Sequence, residues 1–288
     1  VFNSNPVIST AEQDKVLAGL AREDLFTVVS EQFLTDTARY ADIVLPATTQ
    51  AEQFELMYSW GQFYFSINEP AIAPLGEAVP NTELFRRLAA TFGFDDPQFQ
   101  KSDEDIARDV VDWDDPRVAG ISFESLRETG FARLNLGTPA TYAPHAEGNF
   151  GTPSGKCEFR SSVAEAGNMV FASFRQGSEE FQPGEPLDPV PDFIPPQESI
   201  ASAPELAKRY PLNILSPKCH AFINSSFANL PQQQRHAGEQ MVVIHPDDAS
   251  ARNIAEESPV RIHNQRGAFE AVANVSDDTR PGVIVAPM

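Results

Sequence analysis

The chain has 288 residues, and its 41 Asp and Glu against 21 Lys and Arg leave a formal charge of −20 at pH 7. A length of this order suggests two domains, and a 41% hydrophobic share fits globular rather than disordered sequence. No apolar run approaches the roughly 18 residues of a membrane helix, and the acid excess opposes general affinity for phosphate backbones or anionic lipid, so neither nucleic acid nor membrane insertion is expected. The two cysteines, Cys157 and Cys219, are too far apart for a Cys-x-x-Cys pair, which excludes a disulfide scaffold, a zinc ribbon and a self-contained iron–sulfur site.

The chain opens on Val1 inside an apolar run that leads to Asn3-Ser4-Asn5-Pro6. Periodicity predicts a helix over Ala11 to Arg22, with Val16, Leu17 and Leu20 on one face, then a buried-type strand over Asp24 to Ser30. A short helical piece from Asp36 to Ala41 precedes a strand over Asp42 to Pro46 that proline stops. Asn81 is expected to cap a helix carrying Leu84, Phe85, Leu88, Ala89 and Phe92, with Gly93 past its end. Alternating strands and helices at this spacing indicate a parallel α/β sheet over residues 1–100.

Residues 101–205 read as an irregular connector. Ser102 with Asp105 forms a capping box, Ser122 with Ser125 and Gly130 brackets a second short helix, and Thr152-Pro153-Ser154-Gly155-Lys156 is a turn feeding a strand over Cys157 to Arg160. The proline-rich stretch Pro183 to Pro204 is expected to be extended. From residue 206 strands dominate: Leu212 to Leu215, Gln240 to Ile244, Val260 to His263, Ala268 to Val275 and Val283 to Val285, with a helix over Asp247 to Asn253 and a tight Asn264 to Gly267 turn. Short strands separated by turns suggest a small barrel. The last strand has no successor to pair with, so the sequence reads as a segment of a longer polypeptide.

There is no Gly-rich phosphate loop, nucleophile elbow or cluster of metal ligands, so no residue is assigned as catalytic or metal-binding. Two segments carry concentrated polar chemistry. Glu31 to Pro46 follows a parallel-type strand, whose carboxyl edge is where open α/β folds bind ligands; Thr35 and Asp36 equally suit a simple helix start. Ser216-Pro217-Lys218-Cys219-His220 with Asn224-Ser225-Ser226 gathers hydroxyl, ammonium, imidazole and amide groups suited to a diphosphate, or forms an ordinary polar loop.

These segments resemble the large catalytic subunit of the dimethyl sulfoxide reductase family of molybdenum or tungsten oxidoreductases. Asn3-Ser4-Asn5-Pro6 is similar to the family's Gly-x-Asn-Pro turn, and Thr35-Asp36-Thr37-Ala38 through Ala41-Asp42-Ile43-Val44-Leu45-Pro46 to its Thr-x-Thr-Ala and Ala-Asp-Val-Val-Leu-Pro block. Glu52, Pro74-Leu75-Gly76-Glu77-Ala78, Thr152 to Lys156 with Glu158, Ser216 to His220, His245-Pro246-Asp247-Asp248-Ala249, Asn264-x-Arg266-Gly267 and Pro281-Gly282-Val283 continue the match in the family's order.

The resemblance implies a Rossmann-like parallel sheet portion followed, over residues 206–288, by a truncated double-psi barrel that binds molybdopterin dinucleotide. It implies that molybdopterin guanine dinucleotide carrying molybdenum or tungsten is the cofactor. Asn5, Ser30, Glu31, Thr37 and Asp42 would line one dinucleotide, with Glu31 or Asp42 accepting the N–H donors of guanine; Ser216, Lys218, His220 and Ser225 would hold the other, with His245 and Asp248 as further contacts. The remainder of the polypeptide and electron-transfer subunits would be its partners, and an iron–sulfur cluster could lie only on an amino-terminal part outside these residues, as would the metal ligand. The alternative is a non-catalytic homologue resembling the large subunit of respiratory NADH dehydrogenase. Two departures stand out: Lys218 where the family often has Arg, and Asn253-Ile254-Ala255-Glu256-Glu257-Ser258 where it favours Gly-Ile-x-x-Gly-Asp, which puts Glu257 at a glycine position.

Overall fold

A computed structural model describes residues 1–138, 140–167, 188–193, 196 and 198–287. They form two compact units, one from Val1–Asn135 with Lys208–Met288, the other from Leu136–Ala207.

The first unit opens with α1 (Pro6–Ser9), α2 (Gln13–Leu20), β1 (Val28–Glu31), a 3-10 turn over Ala38–Tyr40, and β2 (Ile43–Pro46). β1 and β2 are parallel, with Ser30 opposite Leu45 and Glu31 opposite Pro46. Phe2 bridges Ser30 on one side and Val79 bridges Ala47 on the other, both in parallel sense. Paired residues in such a register share a face, so Phe2, Ser30 and Leu45 project together. The chain then adds β3 (Glu55–Tyr58), β4 (Tyr64–Asn68) and α3 (Asn81–Phe92), whose Phe85 meets Phe2 edge to face at 5.3 Å. Helix α3 therefore touches the strands through Phe2, on the side that Ser30 shares.

Strand β1 begins at Val28 rather than Asp24, because Asp42 Oδ2 takes the Thr27 N–H at 2.6 Å and Asp24 turns to pair with Arg22. Pro80 occupies the cap position of α3, so Asn81 is its first helical residue and caps nothing; Gly93 ends it in the left-handed region at φ 74°.

Residues 103–133 form two short helices and a strand. Both expected capping boxes form, on α4 (Asp103–Val110) and α5 (Phe123–Thr129), and β5 (Phe131–Arg133) joins β4 and β3 in an antiparallel sheet. Phe65, Ile67, Ala107 and Phe123 close around fully buried Leu126.

In the second unit Ser161 caps α6 (Ser162–Glu165). Thr152–Lys156 is a closed turn, with Gly155 N–H donating to Thr152 O at 3.0 Å and the Thr152 hydroxyl to Lys156 O at 2.6 Å. Cys157–Arg160 is not a strand, because the Glu158 carboxylate folds back to accept Ser154 N–H and the Ser162 hydroxyl. Much of the Pro183 to Pro204 stretch lies outside the described residues.

After α7 (Pro204–Arg209), the chain forms β6 (Asn213–Leu215), α8 (Pro231–Ala237), β7 (Met241–Ile244), α9 (Pro246–Ser250), β8 (Pro259–His263), β9 (Ala268–Val275) and β10 (Val283–Val285). These strands make a mixed sheet in the order β6-β10-β7-β9-β8, with Val242, Ile244, Ala271, Ala273 and Ile284 in its core. Asn264 Oδ1 accepts the N–H groups of Arg266 and Gly267 in the turn between β8 and β9.

Several large apolar side chains around β1 and β2 lie open, including Phe26, Phe33, Leu34, Ile43 and Val44. At the turn before β8, Asn253 (φ 52°) and Glu257 (φ 58°) are both left-handed. Asn tolerates that conformation through its short polar side chain; Glu does not. Glu257→Gly is expected to raise stability by about 1 kcal/mol by removing this strain, read as a higher urea midpoint at unchanged slope.

Candidate functional site

Ser30 and Glu31 end β1, Thr37 opens the 3-10 turn that follows it, and Asn5 ends the segment that starts beside β1 at Phe2. Asn3, where the family pattern has glycine, is left-handed at φ 48°, the conformation that turn needs. Asn5 and Thr37 are buried and matched: the Thr37 hydroxyl donates to Asn5 Oδ1 at 2.6 Å and accepts the Val7 N–H at 3.2 Å. Their polar atoms thus lock the Asn-Pro turn against the Thr-x-Thr loop. Glu31 Oε1 takes the Gln32 N–H at 2.8 Å. Ser30 is 6% exposed and its hydroxyl has no protein partner, so it is available to a ligand at the strand ends.

Asp42 does not join this group. It precedes β2 and therefore sits at the amino end of the parallel strands, where its carboxylate holds Thr27 N–H.

Glu52 sits within a short 3-10 turn, Gln50–Glu52, and is 7% exposed. Its carboxylate accepts the Thr49 N–H and hydroxyl at 2.7 and 2.8 Å through one oxygen and the Leu75 N–H at 2.8 Å through the other. The Thr49 N–H first, then its hydroxyl and the Leu75 N–H, hold this acid below its ordinary value of 4.5. Glu52 thereby pins the Pro74-Leu75-Gly76 segment to the end of β2.

The second polar segment leaves the carboxyl end of β6 beside that of β10, where Ala286 N–H donates to Leu215 O at 2.9 Å. The loop turns back on itself through an Ile223–Ser226 pairing, with Asn224 left-handed at φ 53°. That turn brings Asn224 Oδ1 onto Lys218 Nζ, with Ser225 next in the chain. A neutral amide leaves the ammonium charge available to an anion. Ser216 and His220 are exposed on the same loop.

His245 and Asp248 have partners that account for them. His245 Nδ1 accepts the Asp247 N–H at 3.2 Å as the cap of α9, and its Nε2 lies 3.6 Å from Asp277 Oδ1. Asp248 Oδ2 accepts the Gly282 N–H at 2.6 Å while Oδ1 holds Arg252 at 3.2 Å, clamping the Pro281-Gly282 turn to the helix. Among the described residues no three His, Cys, Asp or Glu side chains gather as a metal site, and no helix is long and apolar enough to cross a membrane.

Both polar clusters fall within stretches that match known families. Residues 1–91 match the family model Molybdopterin oxidoreductase, and residues 212–288 match Molydopterin dinucleotide binding domain. The chain thus carries a stretch of the Molybdopterin oxidoreductase family and a stretch of the Molydopterin dinucleotide binding domain family. It is 34% identical to Probable oxidoreductase YoaE of Bacillus subtilis (strain 168) over 99% of its length, covering 38% of that protein. It is 30% identical to Dimethyl sulfoxide reductase DmsA of Escherichia coli (strain K12), over 89% of its length and 32% of that protein. Among solved structures, Acetylene Hydratase from Pelobacter acetylenicus superposes over 99% of the chain and 36% of its own, with a TM-score of 0.72 at 24% identity, which supports the mixed α/β fold. The chain thus spans between about a third and two fifths of the length of these proteins.

Two stability measurements check these assignments. Because the folded Glu52 acid is depressed, its contribution is complete above the ordinary value of 4.5 and is lost as pH falls through the folded value. Glu52→Gln is expected to lower the melting temperature by a few degrees at neutral pH, the gap to the parent closing in acid; a gap independent of pH refutes it. Asp248→Ala should cost about 2 kcal/mol by unpairing Gly282 N–H and Arg252, read as a lower urea midpoint.

Proposed function

We propose that this chain is the carboxyl-side part of a bis-molybdopterin guanine dinucleotide oxidoreductase, built as a Rossmann-like portion over residues 1–100, a connecting region over 101–205 and a double-psi dinucleotide-binding barrel over 206–288. The observation that carries the reading is the buried, unpartnered Ser30 hydroxyl at the carboxyl ends of parallel strands, the position at which open α/β sheets bind nucleotides. Lys218, held by a neutral amide on a loop leaving a second set of parallel strand ends, supports a second binding segment.

The residues fit the cofactor in different ways. Ser30 and Glu31 Oε2 face the nucleotide at the first site, and Asn5 with Thr37 positions the loop that carries it. Ser216, Lys218, His220 and Ser225 receive the diphosphate and pterin of the second dinucleotide, with Lys218 supplying the positive charge. Asp42, His245 and Asp248 contribute through the backbone groups they hold. When bound, the metal-pterin group supplies two-electron redox chemistry, and this chain supplies binding, orientation and electrostatics. The metal ligand, any iron–sulfur cluster and the electron-transfer contacts belong to other parts of the assembly. The reductase and oxidoreductase names of the matched relatives give no support to a non-catalytic homologue.

The test is elemental and pterin analysis of the full-length polypeptide made in a molybdenum-competent host. About two guanine dinucleotides per molybdenum or tungsten atom are expected. A folded protein with neither metal nor pterin refutes the reading. Lys218→Ala should lower dinucleotide retention after gel filtration, and Lys218→Arg should preserve it.

A further inference from the structure

Strand β10 is parallel to β6, β7 runs against β10, β9 runs with β7, and β8 runs against β9. The carboxyl ends of β6 and β10 therefore lie at the same end of the sheet as the turn from β8 to β9, so Asn264–Gly267 sits at the end that carries the Ser216–Ser226 loop. In the amino-terminal part, Phe2 pairs with Ser30 in parallel sense, so the chain that leaves through Asn5 enters α1 and α2 at the carboxyl ends of β1 and β2. Val1–Asn135 and Lys208–Met288 form one compact unit, and within it Asp14 of α2 meets Gly267. A Cβ placed on Gly267 would stand 3.3 Å from Asp14 Oδ2 and 4.0 Å from its Cγ. Gly267 is not among the residues at positive φ, so its backbone would accept a side chain, and the α2 carboxylate is what occupies the space.

Both sides of this contact are held in place. Asn264 Oδ1 accepts the Arg266 and Gly267 N–H groups, and the Gly267 carbonyl accepts the Asn264 N–H at 3.0 Å. On the other side, Gln13 Nε2 donates to Val7 O at 2.8 Å, and Val7 N–H donates to the Thr37 hydroxyl that bonds Asn5. A continuous run of contacts thus leads from the β8–β9 turn through α2 and α1 to the buried Asn5–Thr37 pair. We infer that Asp14 is a positioning residue: seated against Gly267, it sets the spacing between the two dinucleotide-binding ends and transmits a displacement of either to the other. The inference rests on the cofactor reading above, and Asp14 itself holds no part of the cofactor. Asp14 is exposed, so truncating it removes little stability, and a role in spacing separates from a role in folding.

The test uses the full-length polypeptide made in a molybdenum-competent host. Asp14→Ala is expected to leave the urea midpoint unchanged, to lower the guanine dinucleotide retained after gel filtration about twofold, and to shift the electron paramagnetic resonance signal of the pentavalent metal. Gly267→Val, which forces the two sides apart, should lower retention at least as far. Asp14→Ala combined with Gly267→Val moves bulk from one side of the contact to the other and should retain more dinucleotide than either single variant. Asp14→Cys with Gly267→Cys should oxidise to a disulfide mapped by mass spectrometry, because the two positions lie within bridging reach, with dinucleotide content kept. Failure of that disulfide to form in folded protein, a combined variant no better than the single ones, or an Asp14→Ala protein with the parent's retention and signal overturns the inference; Asp14→Ala decides it alone should Gly267→Val not fold. Those results in a parent loaded with metal and pterin refute the positioning role only, whereas a parent with neither refutes the cofactor reading and this role with it.

Discussion

The buried hydrogen bond from the Thr37 hydroxyl to Asn5 Oδ1 fixes the first site. It ties two loops separated by 32 positions to one another, and the Val7 N–H bonded to the same hydroxyl ties in α1. Each group is buried, so breaking the arrangement would strand polar atoms away from water. The loops are therefore held in one relative position, and the ends of the parallel strands present Ser30 to a fixed space. Glu52 does the same further along, with one carboxylate organising three donors. Much of the family-like polar sequence is thus internal scaffolding, and fewer side chains remain to meet a ligand than the motifs suggest.

The elements read correctly from sequence were those with local signals. The Ser102 and Ser122 boxes close within three residues, Gly93 and Gly130 end helices in left-handed geometry, and Ala268–Val275 is a long strand beside a tight Asn-x-x-Gly turn. Strand β5 escaped notice because it pairs with Tyr64–Ser66 more than sixty positions away, and that pairing leaves no local periodicity, whereas β3 and β4 form a local hairpin that was not assigned. Asp42 shows a different failure: a residue that precedes a strand lies at its amino end, so polarity along the chain already separated it from Glu31. Asn81 lost its expected capping role to Pro80, one position earlier, whose φ of −58° suits the cap. The free hydroxyl of Ser30 could not be found from sequence at all, since being unpartnered is a property of three-dimensional neighbours.

The two polar regions differ in how they are built. At the first, buried groups are positioned before any ligand arrives, which lowers the ordering cost of binding. At the second, Ser216, Lys218 and His220 are exposed on a loop shaped mainly by backbone turns and one amide contact. Charge attraction at such a loop operates at longer range but is weakened by salt. The first is suited to selecting a hydrogen-bonding pattern and the second to attracting an anion.

The open apolar side chains beside β1 and β2 have a colloidal consequence. Phe26, Leu34, Ile43 and Val44 form surface that water disfavours, on a molecule whose formal charge of −20 repels its copies. In dilute buffer that repulsion reaches tens of ångströms; near molar salt it shrinks to about 3 Å, shorter than a side chain. Ionic strength is thus the variable that should decide whether these surfaces find one another.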